Sequence, residues 1–301
     1  MPLTQEIQTI RDFKFTLPMR AIFAGSSQSG KTFMIGKIIE NAVKLFGKNF
    51  SAIKYFYPEY LDETPAEFHR STRSPISYNS GFPKKNDVLS LPSSSLIIID
   101  DMAVQAVKSD LISQIYKVIS GKKDLSIILV TQNYFVQGKY SREIRNSCNY
   151  VGLFRNCGDA SLNRRVTSVF GLRKAYDVVE KTIFKSEVYP FVFIDQRQIA
   201  HISDYRLYTS IFDNVKIAYS TSGMRGYVLN EETFKRVFKI IAESSTGVTA
   251  IPKNEDTKKP IQRRISSRSK YTPKARSKST VEAAFDPRKI YREIKNRESA
   301  E

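Results

Sequence analysis

Three groups of polar residues in this sequence have types and spacing that could act on phosphate groups. A loop of small residues at 25–30 runs directly into Lys31 and Thr32. Two aspartates close an apolar run at 95–101, and a threonine and a glutamine close another at 126–132. Such amine, hydroxyl, carboxylate and amide groups could neutralise phosphate charge, ligate a divalent cation and orient water. They can cooperate only if the fold brings them together.

The first group matches Gly-x-x-x-x-Gly-Lys-Ser/Thr, the P-loop motif, after a predicted strand and at the start of a predicted helix. Backbone amides of the loop and the helix amino terminus are expected to bind the β-phosphate. Lys31 is expected to neutralise β- and γ-phosphate oxygens, and Thr32 to ligate Mg²⁺. The sequence therefore predicts a site for ATP and Mg²⁺ formed by Gly25, Ser26, Ser27, Gln28, Ser29, Gly30, Lys31 and Thr32.

The two polar-ended runs supply the partners that a P-loop needs. Asp100 is predicted to be the metal-associated carboxylate, and Asp101 the group that polarises the attacking water. Thr131 and Gln132 end the next run, where polar side chains at the carboxyl edge of a sheet can contact the γ-phosphate or water. We therefore expect Lys31, Asp101 and Gln132 to take part in catalysis.

Short apolar runs alternate with segments of helical spacing. The runs read as strands at 21–25, 52–58, 95–101, 126–132, 150–154 and 191–195, and the helical segments lie at 31–46, 109–121, 141–147 and 159–184, the last interrupted at Gly171. Because the runs are continuously apolar, the strands should be covered on both faces, as in a parallel sheet with helices on each side. The predicted fold class is α/β, a P-loop NTPase of the RecA-like type with a mostly parallel sheet.

Changes in composition suggest three parts. Residues 1–215 form the predicted ATPase core, in which 59–94 is interpreted as a loop or insertion because it is rich in Ser, Pro and Asn. Residues 216–245 form a small helical extension, and 246–301 a basic tail expected to be disordered. Nine Lys or Arg and no Asp or Glu lie between Thr257 and Thr280.

The net charge indicates the kind of binding partner, and the cysteine content indicates the redox state of the compartment. A formal net charge of +18, from 48 basic and 30 acidic residues, favours a polyanionic partner such as nucleic acid. Cys148 and Cys157 form no metal-ligand or disulfide pattern, which indicates a reducing compartment. The chain shows no signal-peptide pattern and no apolar run near the roughly 20 residues that span a bilayer. Export and membrane insertion are therefore not expected.

Six segments, taken in order, resemble the poxvirus-type genome-packaging ATPases of the FtsK/HerA superfamily, above all the short forms of Polinton/Maverick elements and related DNA viruses. The segments are GSSQSGKT, LIIIDDM, ILVTQNYF, REIRNSCNYVGLFRNCGD, YPFVFIDQRQ and YRLYTSIF. The resemblance covers about residues 15–213. It implies a homo-oligomeric ring that drives double-stranded DNA into a preformed capsid, with capsid or portal-like vertex proteins as partners. It also implies an intracellular location in an infected host, in cytoplasm or nucleus, or association with the virion.

The same resemblance implies an arginine finger supplied by a neighbouring subunit. Arg155 is the first candidate because it ends a strand in the matching motif, ahead of Arg142 and Arg145. Members of the family often carry Pro-Arg directly after the motif that ends at Asn156. Here Cys157 and Gly158 occupy these two positions, so no arginine at 158 can play a role.

Two other functions remain open at this point. A strand-separating helicase or a partitioning motor would share the core and the basic charge. A nucleotide-gated switch that binds nucleic acid would need the core to bind nucleotide but not to hydrolyse it. The intact Lys31, Asp100 and Asp101 argue against such a loss of hydrolysis. The tail itself could bind DNA, direct nuclear import or be a solvated charge run.

Overall fold

The computed structural model describes residues 7–9, 14–59, 74–159, 161–197, 204–213, 215–229 and 235. The chain divides into two compact units, Met1–Asn230 and Glu231–Glu301, and every strand and helix described here belongs to the first. The strands are β1 (Ile7–Thr9), β2 (Arg20–Ala24), β3 (Ile53–Tyr57), β4 (Ile76–Ser80), β5 (Leu96–Ile99), β6 (Ser126–Thr131), β7 (Tyr150–Phe154), β8 (Phe191–Asp195), β9 (Tyr205–Tyr208), β10 (Val215–Ser220) and β11 (Arg225–Leu229).

The helices mostly follow the strands in the first two thirds of the chain. They are α1 (Lys31–Glu40), α2 (Ala42–Phe46), α3 (Lys85–Leu89), α4 (Ala103–Ala106), α5 (Asp110–Gln114), α6 (Ser120–Lys123), α7 (Ser141–Ser147), α8 (Leu162–Val169) and α9 (Arg173–Ser186). A π-helical turn, Ile115–Ile119, joins α5 to α6. No helix in the described part of the chain is long and apolar enough to cross a membrane.

All strands form one sheet in the order β1-β11-β10-β9-β8-β7-β2-β6-β5-β3-β4. The six strands from β7 to β4 in this order run parallel, whereas β8, β9, β10 and β11 form an antiparallel meander that continues from β7. The predicted α/β class with a mostly parallel sheet is confirmed. Strand β6 lies between β2 and β5, so the P-loop strand and the aspartate strand are next-but-one neighbours.

Both faces of the parallel half are buried. Every residue of β5 and of β6 is buried, which explains why these runs are continuously apolar. Phe23 packs on one face in a core cluster with Ile35 of α1. Its neighbour Ile22 points to the opposite face, where it lines a small cavity with Ile144 of α7. Helices therefore fix the sheet from both sides.

The segment 59–94, interpreted from its composition as a loop, contains regular structure. Strand β4 pairs in parallel with β3, and α3 follows it. Because β4 is an edge strand with no fully buried residue, it lacks the apolar run by which strands were recognised. Residues 60–73 lie outside the described residues.

The sheet continues beyond residue 215, where the core was predicted to end. Strands β10 and β11 pair as a hairpin in the first part of the predicted helical extension, and the turn contains Gly223 with φ of +87°. The positive φ is one that glycine adopts without strain. The core therefore extends to residue 229. The predicted helix at 230–244 lies outside the described residues apart from Lys235, and the tail 246–301 lies outside them altogether.

The predicted interruption of the helix at 159–184 is confirmed. Helices α8 and α9 are separated at Gly171, whose φ of +70° ends the first helix.

Candidate functional site

The loop 25–30 connects β2 to α1 and is held at both sides by the ends of neighbouring strands. The Gly25 N–H donates to the Thr131 carbonyl at the end of β6, 3.2 Å away. The Ser26 N–H and hydroxyl both donate to the Arg155 carbonyl beyond β7, at 3.2 and 3.1 Å. The loop is thus fixed at the carboxyl edge of the parallel strands, which is where ligands bind in open α/β sheets.

Glycine is required at two positions of the loop. A Cβ on Gly25 would lie 2.6 Å from the Cβ of Phe154, a separation that real atoms do not reach. Gly30 precedes the first residue of α1 with φ of +91°, a conformation that other residues rarely adopt. No side chain caps α1. Its first backbone amides therefore remain available to an anion.

Lys31 extends across the mouth of the loop. Its Nζ donates to the Gly25 and Ser26 carbonyls at 2.8 and 2.6 Å. Burial lowers the pKa of Lys31, and the nearby carboxylates of Asp100 and Asp101 partly offset this by raising it. The lysine thus lies between the loop and the two aspartates, where it can bridge a phosphate to the acidic pair.

The two aspartates follow β5 and have different surroundings. Asp100 is partly buried, and its carboxylate accepts a hydrogen bond from the Tyr55 hydroxyl. Burial raises the pKa of Asp100, while the Tyr55 bond acts in the opposite direction. Asp101 is exposed and adopts φ of +53°. Asp100 is therefore placed as the inner carboxylate and Asp101 as the one that solvent water can reach.

Gln132 connects the end of β6 to the exposed aspartate. Its side-chain Nε2 donates to Asp101 Oδ1 at 3.4 Å. Its backbone carbonyl accepts a hydrogen bond from Asn156 Nδ2, also at 3.4 Å. Thr131 instead turns into its own loop, where its hydroxyl donates to the Asn133 carbonyl at 2.9 Å. Of the two residues predicted to end this strand with a sensing role, only Gln132 contacts the aspartates.

Arg155 lies beside the loop of its own chain. Its guanidinium donates to the Phe184 carbonyl near the end of α9. Of the two other arginines considered, Arg145 lies over the ring of Phe135 with 5.8 Å to the centroid, and Arg142 is exposed on α7. The assignment of an arginine finger stays a prediction.

Tyr55 was not predicted as a site residue. It lies fully buried on β3, opposite Ile98 of β5, so it shares a face of the sheet with Asp100 two residues further on. The side chain of Thr32 lies near this hydroxyl as well, where it opposes the rise that burial causes in the pKa of Tyr55. Tyr55 thus joins the two groups predicted to hold the metal. Only the strand register, which the sequence does not display, could have indicated it.

The residues present fit a nucleotide phosphate with Mg²⁺. Ser29 Oγ is buried in the loop with no hydrogen-bond partner among the described residues, so it can bind a phosphate oxygen. Thr32 and Asp100 offer the oxygen ligands that Mg²⁺ prefers. No group of three or more His, Cys, Asp or Glu that could hold a metal occurs in the described ranges. Phosphate oxygens and water would complete the coordination, as is usual for Mg²⁺.

A cleft of about 530 Å³ opens beside the loop. Residues 28–33 form one side, and Tyr189 from the segment before β8 forms the other. The aromatic residues Phe33 and Tyr189 were not predicted as site residues either.

Neither a protein-family model nor a curated protein matches this chain. Among solved structures, the genome packaging NTPase B204 from Sulfolobus turreted icosahedral virus 2 in complex with ATP-gammaS is 18% identical, with a TM-score of 0.40, over 58% of this chain and 91% of that one. The complex of the same protein with AMPPCP is 16% identical, with a TM-score of 0.41, and the match covers the same fractions of the two chains. The Legionella pneumophila ATPase DotB gives 12% and 0.30, over 45% of this chain and 40% of that one. Scores this low carry no functional argument.

The class of site therefore rests on its own geometry. A mixed α/β sheet presents the loop 25–30, a lysine and two aspartates at one edge, which is the arrangement of a candidate nucleotide-binding site.

Proposed function

We propose that this protein is a Mg²⁺-dependent P-loop ATPase that couples hydrolysis to movement of double-stranded DNA, as a viral genome-packaging motor. The observation that supports it most is the meeting of Lys31, Thr32, Asp100, Asp101 and Gln132 at one edge of the sheet, although they come from three separate segments. Each of these residues then has a chemical role that matches its contacts.

The roles follow from where each group lies. The loop amides and Lys31 bind phosphate oxygens and neutralise charge as the terminal bond breaks. Bound Mg²⁺ supplies further neutralisation of phosphate charge. Asp101, exposed and held by Gln132, orients the attacking water and accepts its proton. Gln132 in turn positions Asp101 and contacts the water or the γ-phosphate.

DNA as the substrate that moves is supported by charge and by the resemblance of the motifs. The net charge of +18 favours a polyanion, and nine of the 48 basic residues lie between 257 and 280 with no acidic residue among them. A homo-oligomeric ring at a capsid vertex, inside an infected host cell, belongs to the same proposal. Cys148 and Cys157, both free thiols, are compatible with a reducing compartment.

The decisive experiment measures ATP hydrolysis by the full chain with and without double-stranded DNA. We expect Mg²⁺-dependent hydrolysis that DNA stimulates. Lys31→Ala should lower turnover at least about a hundredfold, because a group that stabilises developing charge is worth about that much. Lys122→Ala, which removes one exposed positive charge on α6, is the matched control and should keep wild-type turnover.

Other outcomes would select the alternatives. Unwinding of a forked duplex would favour a helicase, and nucleotide binding without turnover would favour a switch. Equal turnover in Lys31→Ala and wild type would show that the loop is not the catalytic site.

A further inference from the structure

Two aromatic rings lie in contact beside the phosphate-binding loop. Phe33 belongs to the first turn of α1, directly after Thr32, and Tyr189 lies in the segment before β8. Their ring centroids are 5.9 Å apart with the planes tilted by 40°. Each residue is 49% exposed, so both rings present surface to the cleft.

The topology of the sheet explains why residues so distant in sequence meet here. Strand β8 is antiparallel to β7, so its first residue lies at the edge where the parallel strands end. The segment before β8 therefore approaches the loop that follows β2. A Cβ on Gly30 would lie 3.0 Å from the Cβ of Tyr189 and from two of its ring carbons. The ring thus lies directly against the loop backbone.

The position of the pair relative to the phosphates defines what it can bind. In the proposed function the loop binds the β-phosphate, and a nucleotide continues from there through the α-phosphate and ribose to the base. The cleft of about 530 Å³ begins at Ser29 and Gly30 and extends to Phe33 and Tyr189. Its aromatic end presents exposed ring surface, with the amine of Lys37 over part of the Phe33 ring, and such ring surface suits a flat heterocycle.

We propose that Phe33 and Tyr189 form the nucleobase subsite of this cleft and stack on the purine of the bound nucleotide. The inference rests on the proposed ATPase function and adds to it the residues that bind the base. Since the two ring centroids are only 5.9 Å apart, a base cannot lie between the rings and stacks on their exposed surface instead. Lys37, whose Nζ lies 4.8 Å from the centre of the Phe33 ring, covers part of that ring.

Stacking predicts a particular pattern of specificity. An aromatic face stacks on any base, so ATP and GTP should differ less from each other than either differs from a ligand without a base. Stacking on one aromatic side chain is worth about 1–3 kcal/mol by alanine substitution, or roughly fivefold to a hundredfold in affinity.

The test compares two ligands by calorimetric titration of the full chain in Mg²⁺: ATP, and inorganic tripolyphosphate, which keeps the phosphates but has no base. We expect Tyr189→Ala and Phe33→Ala to weaken ATP binding at least about fivefold and tripolyphosphate binding less than about twofold. Tyr189→Phe should keep wild-type affinity for ATP. Val188→Ala, which truncates the adjacent side chain, 80% exposed, is the matched control and should change neither affinity.

The two proposals fail in different ways. Equal loss of ATP and tripolyphosphate affinity in Tyr189→Ala would show that the ring only supports the loop, and would overturn the nucleobase subsite. Unchanged ATP affinity in both alanine variants would overturn it as well, while leaving the ATPase intact. Binding of neither ligand by the wild-type chain, or equal binding by Lys31→Ala, would overturn the proposed function and the subsite with it.

Discussion

Removing one hydroxyl, in Tyr55→Phe, should weaken the metal-dependent part of nucleotide binding. Tyr55 is fully buried, donates to Asp100 Oδ2 and lies near the Thr32 side chain, so it borders both predicted metal-binding groups and fixes the carboxylate. The variant keeps the ring, which packs on Tyr78 at 5.6 Å between centroids. Hydrogen bonds to charged groups contribute about 1.5–3 kcal/mol, so affinity for ATP in Mg²⁺ should fall about tenfold or more.

The assay titrates ATP into wild type and variant, once in Mg²⁺ and once in EDTA. The loss should occur in Mg²⁺ and be less than about twofold in EDTA, because the loop and Lys31 bind phosphate without the metal. Tyr78→Phe is the matched control, since it removes a hydroxyl from the neighbouring ring. Equal losses in Mg²⁺ and EDTA would mean that Tyr55 supports only the fold, and the reasoning about the metal would be refuted.

The pH dependence of ATP affinity in Mg²⁺ provides a second test of Tyr55→Phe. Burial raises the pKa of Asp100 above its ordinary value of 3.8, and the Tyr55 bond opposes that rise. In the proposed function Mg²⁺ binds the ionised Asp100 carboxylate, so we expect metal-dependent affinity to be lost as the pH falls through this pKa. Without the hydroxyl the pKa rises further, and Tyr55→Phe should lose affinity at a higher pH than wild type. A shift to lower pH would contradict this account.

Four further predictions test separate parts of the molecule. Asp101→Asn should keep ATP binding and lower turnover at least about a hundredfold, as expected for loss of a general base; equal loss of binding would refute its role. Mixing Arg155→Ala with Asp101→Asn should recover part of the hydrolysis if Arg155 acts across subunits, and no recovery at any ratio would place the finger elsewhere. Burial lowers the pKa of Lys216 from 10.5 to about 8. Between these two pH values the unfolded chain binds more protons than the folded one, so the free energy of unfolding should rise with pH. In denaturant titrations Lys216→Met should remove this rise and stabilise the fold by up to about 3 kcal/mol at pH 7. Deleting 246–301 should weaken DNA binding and flatten its salt dependence without loss of basal hydrolysis, and an unchanged slope would assign the tail another role.

The five buried strands of the parallel half and the loop 25–30 could be predicted because their signals are local. The loop from Gly25 to Thr32 is one continuous segment between a strand and a helix. Each of these buried strands is predicted by a continuous apolar run in the sequence. The acidic pair Asp100 and Asp101 directly follows such a run. Each inference needed only neighbouring residues and the rule that parallel strands end at one edge.

The features that sequence reasoning missed depend on pairing between distant segments. Strand β4 has no fully buried residue, and β10 and β11 are stabilised by each other and by β9 rather than by a long apolar run. Tyr55 contacts Asp100 only because the register of β3 against β5 puts both on one face. Tyr189 reaches Gly30 only because β8 turns back antiparallel to β7.

The segment after β7 shows how one stretch of backbone connects two parts of the candidate site. The Arg155 carbonyl accepts both hydrogen bonds of Ser26 and so holds the phosphate loop. The next residue, Asn156, donates to the Gln132 carbonyl, while Gln132 contacts Asp101. A shift of this segment would therefore move the loop together with Gln132 and Asp101. In the ring that we propose, a neighbouring subunit that contacts the end of β7 would thus act on the loop and on Asp101 at once, without touching the nucleotide.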